Sequence, residues 1–250
     1  HVRGFTAHAS SGVSARGTYA GVVEKIPYLK DLGITAVELM PVTEFDEIMM
    51  STSGSGFHDA KPEPTGYLNY WGYGPSYLYA VKSAYASHGE MSAECEFKTL
   101  VKELHKAGIE CIPEMYFTGK ELPGEILSVL RYWVEEYHVD GFHLTGFPDL
   151  SLAAEDPFLK RTKLFAENWN DVMNRRPKQG YVTPGDGAVS VEEKNLAEYN
   201  MQFMEDMRRF LKGDEGMLSA FELRNRRNPM EYAVINYMAN TNGFTLMDTV

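Results

Sequence analysis

His143 and Thr145 lie two positions apart near the end of a predicted β-strand, so their side chains point to the same face of that strand. A threonine hydroxyl is a weak nucleophile at neutral pH and needs an adjacent base. A histidine two residues away is placed to serve as that base. The spacing is therefore compatible with a Thr–His nucleophilic pair, provided that a larger fold positions the strand.

The elements around this pair alternate between strand and helix. Apolar runs bounded by turn residues predict seven strands, over residues 1–6, 34–42, 109–117, 139–145, 162–168, 198–203 and 234–239. Apolar residues at helical spacing predict helices, over residues 19–32, 94–107, 125–137 and 204–211. Strands that alternate with helical crossovers form a parallel sheet. Seven of them in 250 residues favour a (β/α)8 TIM barrel of the α/β class over an open doubly wound sheet.

An eighth strand is not recognisable, so it lies beyond Val250 or the barrel is incomplete. No glycine-rich phosphate loop follows the first strand, which argues against a dinucleotide-binding fold. We expect a single barrel domain over residues 1–250 that is an excerpt of a longer chain. In such a barrel the functional side chains project from the C-terminal ends of the strands, which is where Thr145 is placed.

Composition and charge argue against several classes of protein. The formal net charge is −11, and nucleic-acid binding needs a basic surface. No apolar run reaches the roughly 18 residues that span a bilayer. Two cysteines, Cys95 and Cys111, make no disulfide framework and slightly favour a reducing, cytoplasmic compartment. His138 and His143 are isolated from cysteines and other histidines, so we expect no metal and no cofactor.

Several segments together resemble one family. Residues His1–Thr6 read His-Val-Arg-Gly-Phe-Thr, residues Asn69–Pro75 read Asn-Tyr-Trp-Gly-Tyr-Gly-Pro, and the run Leu130–Val134 leads to Gly141. In this order they are similar to the α-amylase superfamily (glycoside hydrolase family 13), and within it to debranching members of the pullulanase, isoamylase and glycogen-debranching types. The resemblance extends along the whole chain. It implies a barrel related to enzymes of α-glucan metabolism, with flanking β-sandwich domains or a partner enzyme.

The family's chemistry is that of a retaining glycosidase, in which two carboxyl groups lie about 5 Å apart across the scissile bond. Where the family has Gly-Phe-Arg-Phe-Asp, this chain has Gly-Phe-His-Leu-Thr, so the nucleophile position is Thr145 and the arginine position is His143. The aspartate after the third strand is matched by Glu114. A threonine would be a poor glycosyl carrier, because an alkoxide is a bad leaving group from a sugar.

The remaining positions of the family's site follow from the same resemblance. Glu167 matches the acid/base glutamate, whereas Asn242 replaces the transition-state aspartate and Thr241 replaces its histidine. Losing one member of a catalytic set commonly costs about 10⁴ to 10⁶ in rate, and here two of three carboxylates are absent. We therefore predict Glu167 as the one retained catalytic residue.

Four residues are predicted to bind substrate: Tyr73, Trp71, His143 and Glu114. Tyr73 resembles the family's sugar-stacking tyrosine. Three of these assignments, and that of Glu167, also have plainer interpretations. Glu167 can be a relic, Tyr73 and Trp71 can pack their loop against the barrel, and Glu114 can form a local ion pair.

Two classes of function remain open, with a third behind them. In the first, the protein is a catalytically inactive or nearly inactive relative that binds α-glucan or maltooligosaccharide, or supports an active partner. In the second, it is an active glycoside hydrolase or transglycosylase that uses Glu167 with an unrecognised second carboxylate. The third is a purely structural barrel without a ligand.

Overall fold

The computed structural model describes residues 1–50, 64–87, 89–169, 195–229 and 231–240. The chain divides into two compact units, His1–Asp149 (unit 1) and Leu150–Val250 (unit 2). Unit 1 runs in order through α1 (Val2–Thr6), α2 (Tyr19–Glu24), α3 (Ile26–Asp31), β1 (Ala36–Leu39), β2 (Thr43–Phe45), β3 (Ile48–Met50), β4 (Pro64–Leu68), β5 (Ser76–Val81), α4 (Ala93–Lys106), β6 (Glu110–Phe117), α5 (Pro123–Tyr137) and β7 (Gly141–Gly146). Unit 2 contains β8 (Lys163–Ala166), β9 (Leu196–Tyr199), α6 (Met201–Lys212), α7 (Met217–Asn225) and β10 (Ala233–Ile235).

Three parallel strands, in the order β1–β6–β7, form the sheet of unit 1. Glu38 on β1 lies opposite Ile112 on β6, and Glu114 on β6 lies opposite His143 on β7. Strand β6 is buried along most of its length, as expected for a parallel strand covered on both faces. The predicted strands over 34–42, 109–117 and 139–145 are therefore confirmed.

Helix α4 packs against β6, and one aromatic cluster joins α4 to α5. Helix α4 begins after Ser92, whose side chain accepts a hydrogen bond from the Cys95 amide. Phe97 on α4 is fully buried against Trp133 and Tyr137 of α5, with ring centroids 5.5 Å and 5.4 Å away. The indole Nε1–H of Trp133 donates to the Leu78 carbonyl oxygen at 2.7 Å, which joins α5 to β5.

The first predicted strand is wrong, because residues Val2–Thr6 form helix α1. The His1 imidazole Nδ1 accepts the Gly4 amide at 2.9 Å and caps the helix. The helix places Val2 and Thr6 on one buried face, four residues apart. Thr6 Oγ1 also accepts the Gly17 amide at 2.8 Å, an anchor that a six-residue window cannot reveal.

The stretch 43–83 also differs from the long loop that its Gly, Ser and Pro content suggests. It contains two antiparallel pairs, β2 with β5 and β3 with β4. Both β3 and β4 are exposed along their length. Such strands show no alternation of buried and exposed residues, which is the signal that sequence reading uses.

Unit 2 has its own parallel strands, in the order β8–β9–β10, with Ala166 opposite Glu198 and Ala233 opposite Ala197. Helix α6 begins three residues before the predicted start, because the Asn200 side chain caps it by accepting the Phe203 amide. Sequence reading missed helix α7. In the described part of the chain, no helix is long and apolar enough to cross a membrane.

The two cysteines differ in reactivity. Cys95 is exposed, and Cys111 is buried on β6, as its position in the apolar run 109–117 predicts. Burial raises the pKa of the Cys111 thiol, and a thiol without thiolate character is inert. We expect iodoacetamide to alkylate Cys95 in the native protein and Cys111 only after unfolding, as measured by peptide mass spectrometry. Native Cys95→Ser protein is the control and should take up no label; rapid labelling of Cys111 in that variant would contradict the buried position.

Candidate functional site

Glu114 stands at the centre of the site in unit 1. It is only 4% exposed on β6, between the two neighbouring parallel strands. Its Oε1 accepts the Thr145 hydroxyl at 3.0 Å, and its Oε2 accepts the Tyr73 hydroxyl at 3.3 Å. Both carboxylate oxygens are thus held by side chains that the sequence had assigned to the site.

Two opposing effects act on the pKa of the Glu114 carboxyl. Burial is the larger and raises this pKa above its ordinary value, because the charged form is desolvated. The His143 imidazole and the two hydroxyl hydrogen bonds act the other way, while the nearby Glu38 carboxylate adds to the rise. The sequence suggested a local ion pair at Glu114. The structure has a wider cluster of one imidazole, two carboxylates and two hydroxyls.

His143 pairs with Glu38 of β1. The His143 Nδ1 lies 2.6 Å from the Glu38 Oε1, and the two side chains are 13% and 35% exposed. Thr145 donates instead to Glu114, so the base next to its hydroxyl is a carboxylate and not the histidine two residues away. Sequence reading missed Glu38. Glu38 could have been noticed in the sequence, because it is the one charged residue in the apolar run 34–42.

A glycine fixes the backbone just after Thr145. Gly146 has φ of 82°, a left-handed conformation that side-chain-bearing residues rarely adopt. A Cβ atom on Gly146 would lie 2.1 Å from the Phe117 carbonyl oxygen of the neighbouring strand. The end of β7 can therefore follow this path only with glycine at position 146.

Tyr73 reaches Glu114 from a turn that Asn69 organises. The Asn69 amide donates to the Tyr73 carbonyl oxygen, and its Oδ1 accepts the Gly72 amide, both at 3.0 Å. Gly72 has φ of 85°, and a Cβ there would lie 2.7 Å from the Phe45 ring. The Asn-Tyr-Trp-Gly-Tyr order thus positions the Tyr73 hydroxyl.

Trp71 belongs to the same turn but lies at the surface. It is 48% exposed, with its ring centroid 5.2 Å from that of Tyr70 and 6.1 Å from that of His1. Tyr73 is half-buried, and its ring lies 5.5 Å from that of Tyr116. Tyr73 is thus joined to the carboxylate cluster, whereas Trp71 keeps an exposed ring.

Glu167 belongs to unit 2, directly after β8, and is exposed. It lines a cavity of about 350 Å³ together with Glu198 and Arg227. Glu198 is 5% exposed, forms an ion pair with Arg227 and accepts the Trp169 amide at 2.9 Å. Sequence reading missed Glu198, a lone acidic residue in the short strand β9. Asn242 and Thr241 lie outside the described residues, so their assignments stay predictions.

Comparisons of the sequence with known proteins match this chain to a family. The family described as alpha amylase, catalytic domain, matches residues 3–117. Isoamylase 3, chloroplastic, of Oryza sativa subsp. japonica is 32% identical over 334 residues, which cover 100% of this chain and 39% of the relative. The chain belongs to the α-amylase superfamily. The chain is also similar to the glycogen operon protein GlgX homolog of Haemophilus influenzae, at 30% identity over 100% of this chain and 45% of that protein.

Two solved structures show the fold of this chain. The pneumococcal glycogen-degrading virulence factor SpuA, as a product complex, superposes with a TM-score of 0.70 at 19% identity, over 100% of this chain and 32% of that chain. Pullulanase type I of Bacillus subtilis superposes with a TM-score of 0.56 at 21% identity, over 82% and 35% of the two chains. The predicted (β/α)8 barrel class is thereby confirmed.

The chain covers only part of the length of its relatives. It spans about two fifths of the length of the curated relatives named above. The alignment with the rice isoamylase is 334 positions long, whereas this chain has 250 residues. The alignment therefore contains positions at which this chain has no residue. Part of what the longer relative carries between matched segments is therefore absent here.

Proposed function

We propose that this α-amylase-superfamily barrel binds α-glucan and hydrolyses it little or not at all. One observation carries the proposal. At position 145, where the resemblance places the nucleophile, stands a threonine whose hydroxyl donates to the Glu114 carboxylate. A carboxylate of the family's retaining pair has to be free to attack the anomeric carbon. The hydroxyl found here offers no acidic oxygen for that attack.

Further observations support the same proposal. His143, at the family's arginine position, contacts Glu38 and does not donate to a residue 145 carboxylate, because none exists. Gaps in the match to the longer relative agree with a cleft that has lost part of its walls, which would hold a glucan weakly. We further propose a single barrel domain, cytoplasmic, that acts beside flanking domains or an active partner enzyme.

Glucan binding is tested by titration calorimetry of the purified protein with maltohexaose. Trp71 offers an exposed ring next to the Tyr73 turn, so Trp71→Ala is expected to weaken binding at least about tenfold, or about 1.4 kcal/mol. Tyr28→Ala is the matched control, because Tyr28 is an aromatic residue of α3 with 52% exposure. Absence of binding to the wild-type protein, or equal weakening in both variants, would contradict a glucan site at this turn.

A second candidate rests on the cavity of unit 2. Glu167 and Glu198 line it together, so Glu198 is the second carboxylate that an active hydrolase of this chain would use. Glu198 also forms an ion pair with Arg227 in this cavity. The test is release of reducing ends from pullulan or glycogen at high protein concentration. Release that both Glu167→Gln and Glu198→Gln abolish would establish this candidate and reject the non-catalytic proposal.

A further inference from the structure

We propose that Glu38, Glu114 and His143 form a binding site for one divalent transition-metal cation. The three side chains come from β1, β6 and β7, which are adjacent parallel strands. One ligand atom from each, two carboxylate oxygens and an imidazole nitrogen, lie within 4.8 Å of one another. The site lies next to the turn that carries Trp71, because Tyr73 of that turn donates to Glu114, but the inference does not depend on glucan binding. It departs from the expectation of no metal, which was based on the isolation of His143 in the sequence and did not include Glu38.

Strand register explains why the ligands converge. Glu114 is directly opposite His143 on the neighbouring strand, and Glu38 is opposite Ile112, two residues before Glu114. Residues two apart on a strand face the same side. All three side chains therefore project from one face of the sheet, and a hydrogen bond of 2.6 Å already joins His143 to Glu38.

The hydroxyl groups around Glu114 orient it as outer-shell partners orient a metal ligand. Thr145 donates to Oε1 and Tyr73 donates to Oε2, and a carboxylate has further lone pairs on both oxygens. Ligating carboxylates in metal sites are commonly held by such hydrogen bonds. Glu114 is thus fixed in orientation without losing its capacity to coordinate.

Charge and access favour a cation at the same place. A metal ligand must be deprotonated, so the imidazole would be neutral when coordinated. Together with two carboxylates it then carries a formal charge of −2, which one divalent cation balances. Glu38 is 35% exposed and Glu114 only 4%, so the cluster leads from the surface to a buried carboxylate. A mixed nitrogen and oxygen ligand set suits Mn²⁺, Fe²⁺ or Zn²⁺, whereas Ca²⁺ and Mg²⁺ prefer oxygen ligands alone.

The test is titration calorimetry of chelator-treated protein with Zn²⁺ and with Mn²⁺, followed by the absorption spectrum of the Co²⁺-loaded protein. We expect one equivalent of each metal to bind. His143→Ala and Glu114→Gln should each weaken binding at least about 100-fold, and Thr145→Val, which removes only a supporting hydrogen bond, about 10-fold. His143→Ala should also change the Co²⁺ spectrum, which a merely structural role would leave unchanged.

The matched control is His105→Ala. His105 also contacts a carboxylate, with Nε2 lying 2.8 Å from the Asp140 Oδ2, but at the surface of α4. The His105→Ala variant should bind Zn²⁺ and Mn²⁺ with the affinity of the wild-type protein. Circular dichroism must show that each variant is folded. If His143→Ala does not fold, Glu114→Gln remains as the test, because glutamine keeps the shape of the glutamate side chain. Absence of stoichiometric binding, equal affinity in the ligand variants, or a preference for Ca²⁺ or Mg²⁺ would each overturn the assignment.

Discussion

Replacing Trp133 with alanine is expected to lower the free energy of unfolding by about 3–5 kcal/mol, the usual cost of deleting a large buried aromatic side chain. Trp133 is fully buried and contacts Phe97 and Tyr137. The substitution leaves a cavity between α4 and α5. It also deprives the Leu78 carbonyl oxygen of its indole donor. Urea unfolding followed by far-ultraviolet circular dichroism measures the change.

Two further variants separate the causes. Trp133→Phe retains most of the ring but loses the indole donor, so it should cost less than alanine while still leaving the Leu78 carbonyl oxygen without its partner. Trp71→Ala removes an indole that is 48% exposed and should change stability by no more than about 0.5 kcal/mol. Similar costs for Trp133→Ala and Trp71→Ala would show that the aromatic cluster does not hold α5 in place.

Replacing Thr145 with aspartate is expected to destabilise the protein by about 3–5 kcal/mol at pH 8, because it adds a poorly compensated charge to a buried site. The Thr145 hydroxyl lies 3.0 Å from the Glu114 carboxylate, so the introduced carboxylate meets a like charge there. Thr145→Asp alone is not expected to produce measurable release of reducing ends.

Thr145→Asn serves as the neutral control of equal size. It can still donate to Glu114 and should cost clearly less than aspartate at pH 8. The difference between the two variants should shrink at pH 5, because protonation of either carboxyl relieves the repulsion. Equal unfolding free energies for the two variants at pH 8 would mean that the side chain at position 145 turns away from Glu114.

The regular elements could be predicted because their residues follow the periodicity of buried structure. Strand β6 and helices α4 and α5 lie within one or two residues of their predicted bounds, since β6 is an apolar run and each helix has one buried face. Helix α1 could not be predicted, because its cap and its anchor come from His1 and from Gly17 across a turn. Strands β3 and β4 are exposed along their length, so they lack the alternation of buried and exposed residues from which a strand is predicted.

The site was predictable in its residue types and less so in its contacts. The resemblance to the α-amylase superfamily identified Glu114, His143, Thr145 and Tyr73. The partners depend on register, which places Glu114 opposite His143 and leaves Glu38 within reach of the imidazole. A sequence alone fixes no register between strands that are about 30 or 70 residues apart, so the Thr145–Glu114 bond could not be foreseen.

The hydrogen bond between Thr145 and Glu114 also has an evolutionary consequence. With glutamate at position 114, an acid introduced at position 145 would place two buried carboxylates in contact, so that single substitution is not expected to be neutral. Shortening Glu114 first would remove the acceptor of both the Thr145 and the Tyr73 hydroxyls. Positions 114 and 145 are therefore coupled, and an acid at position 145 is expected to need a compensating substitution at position 114.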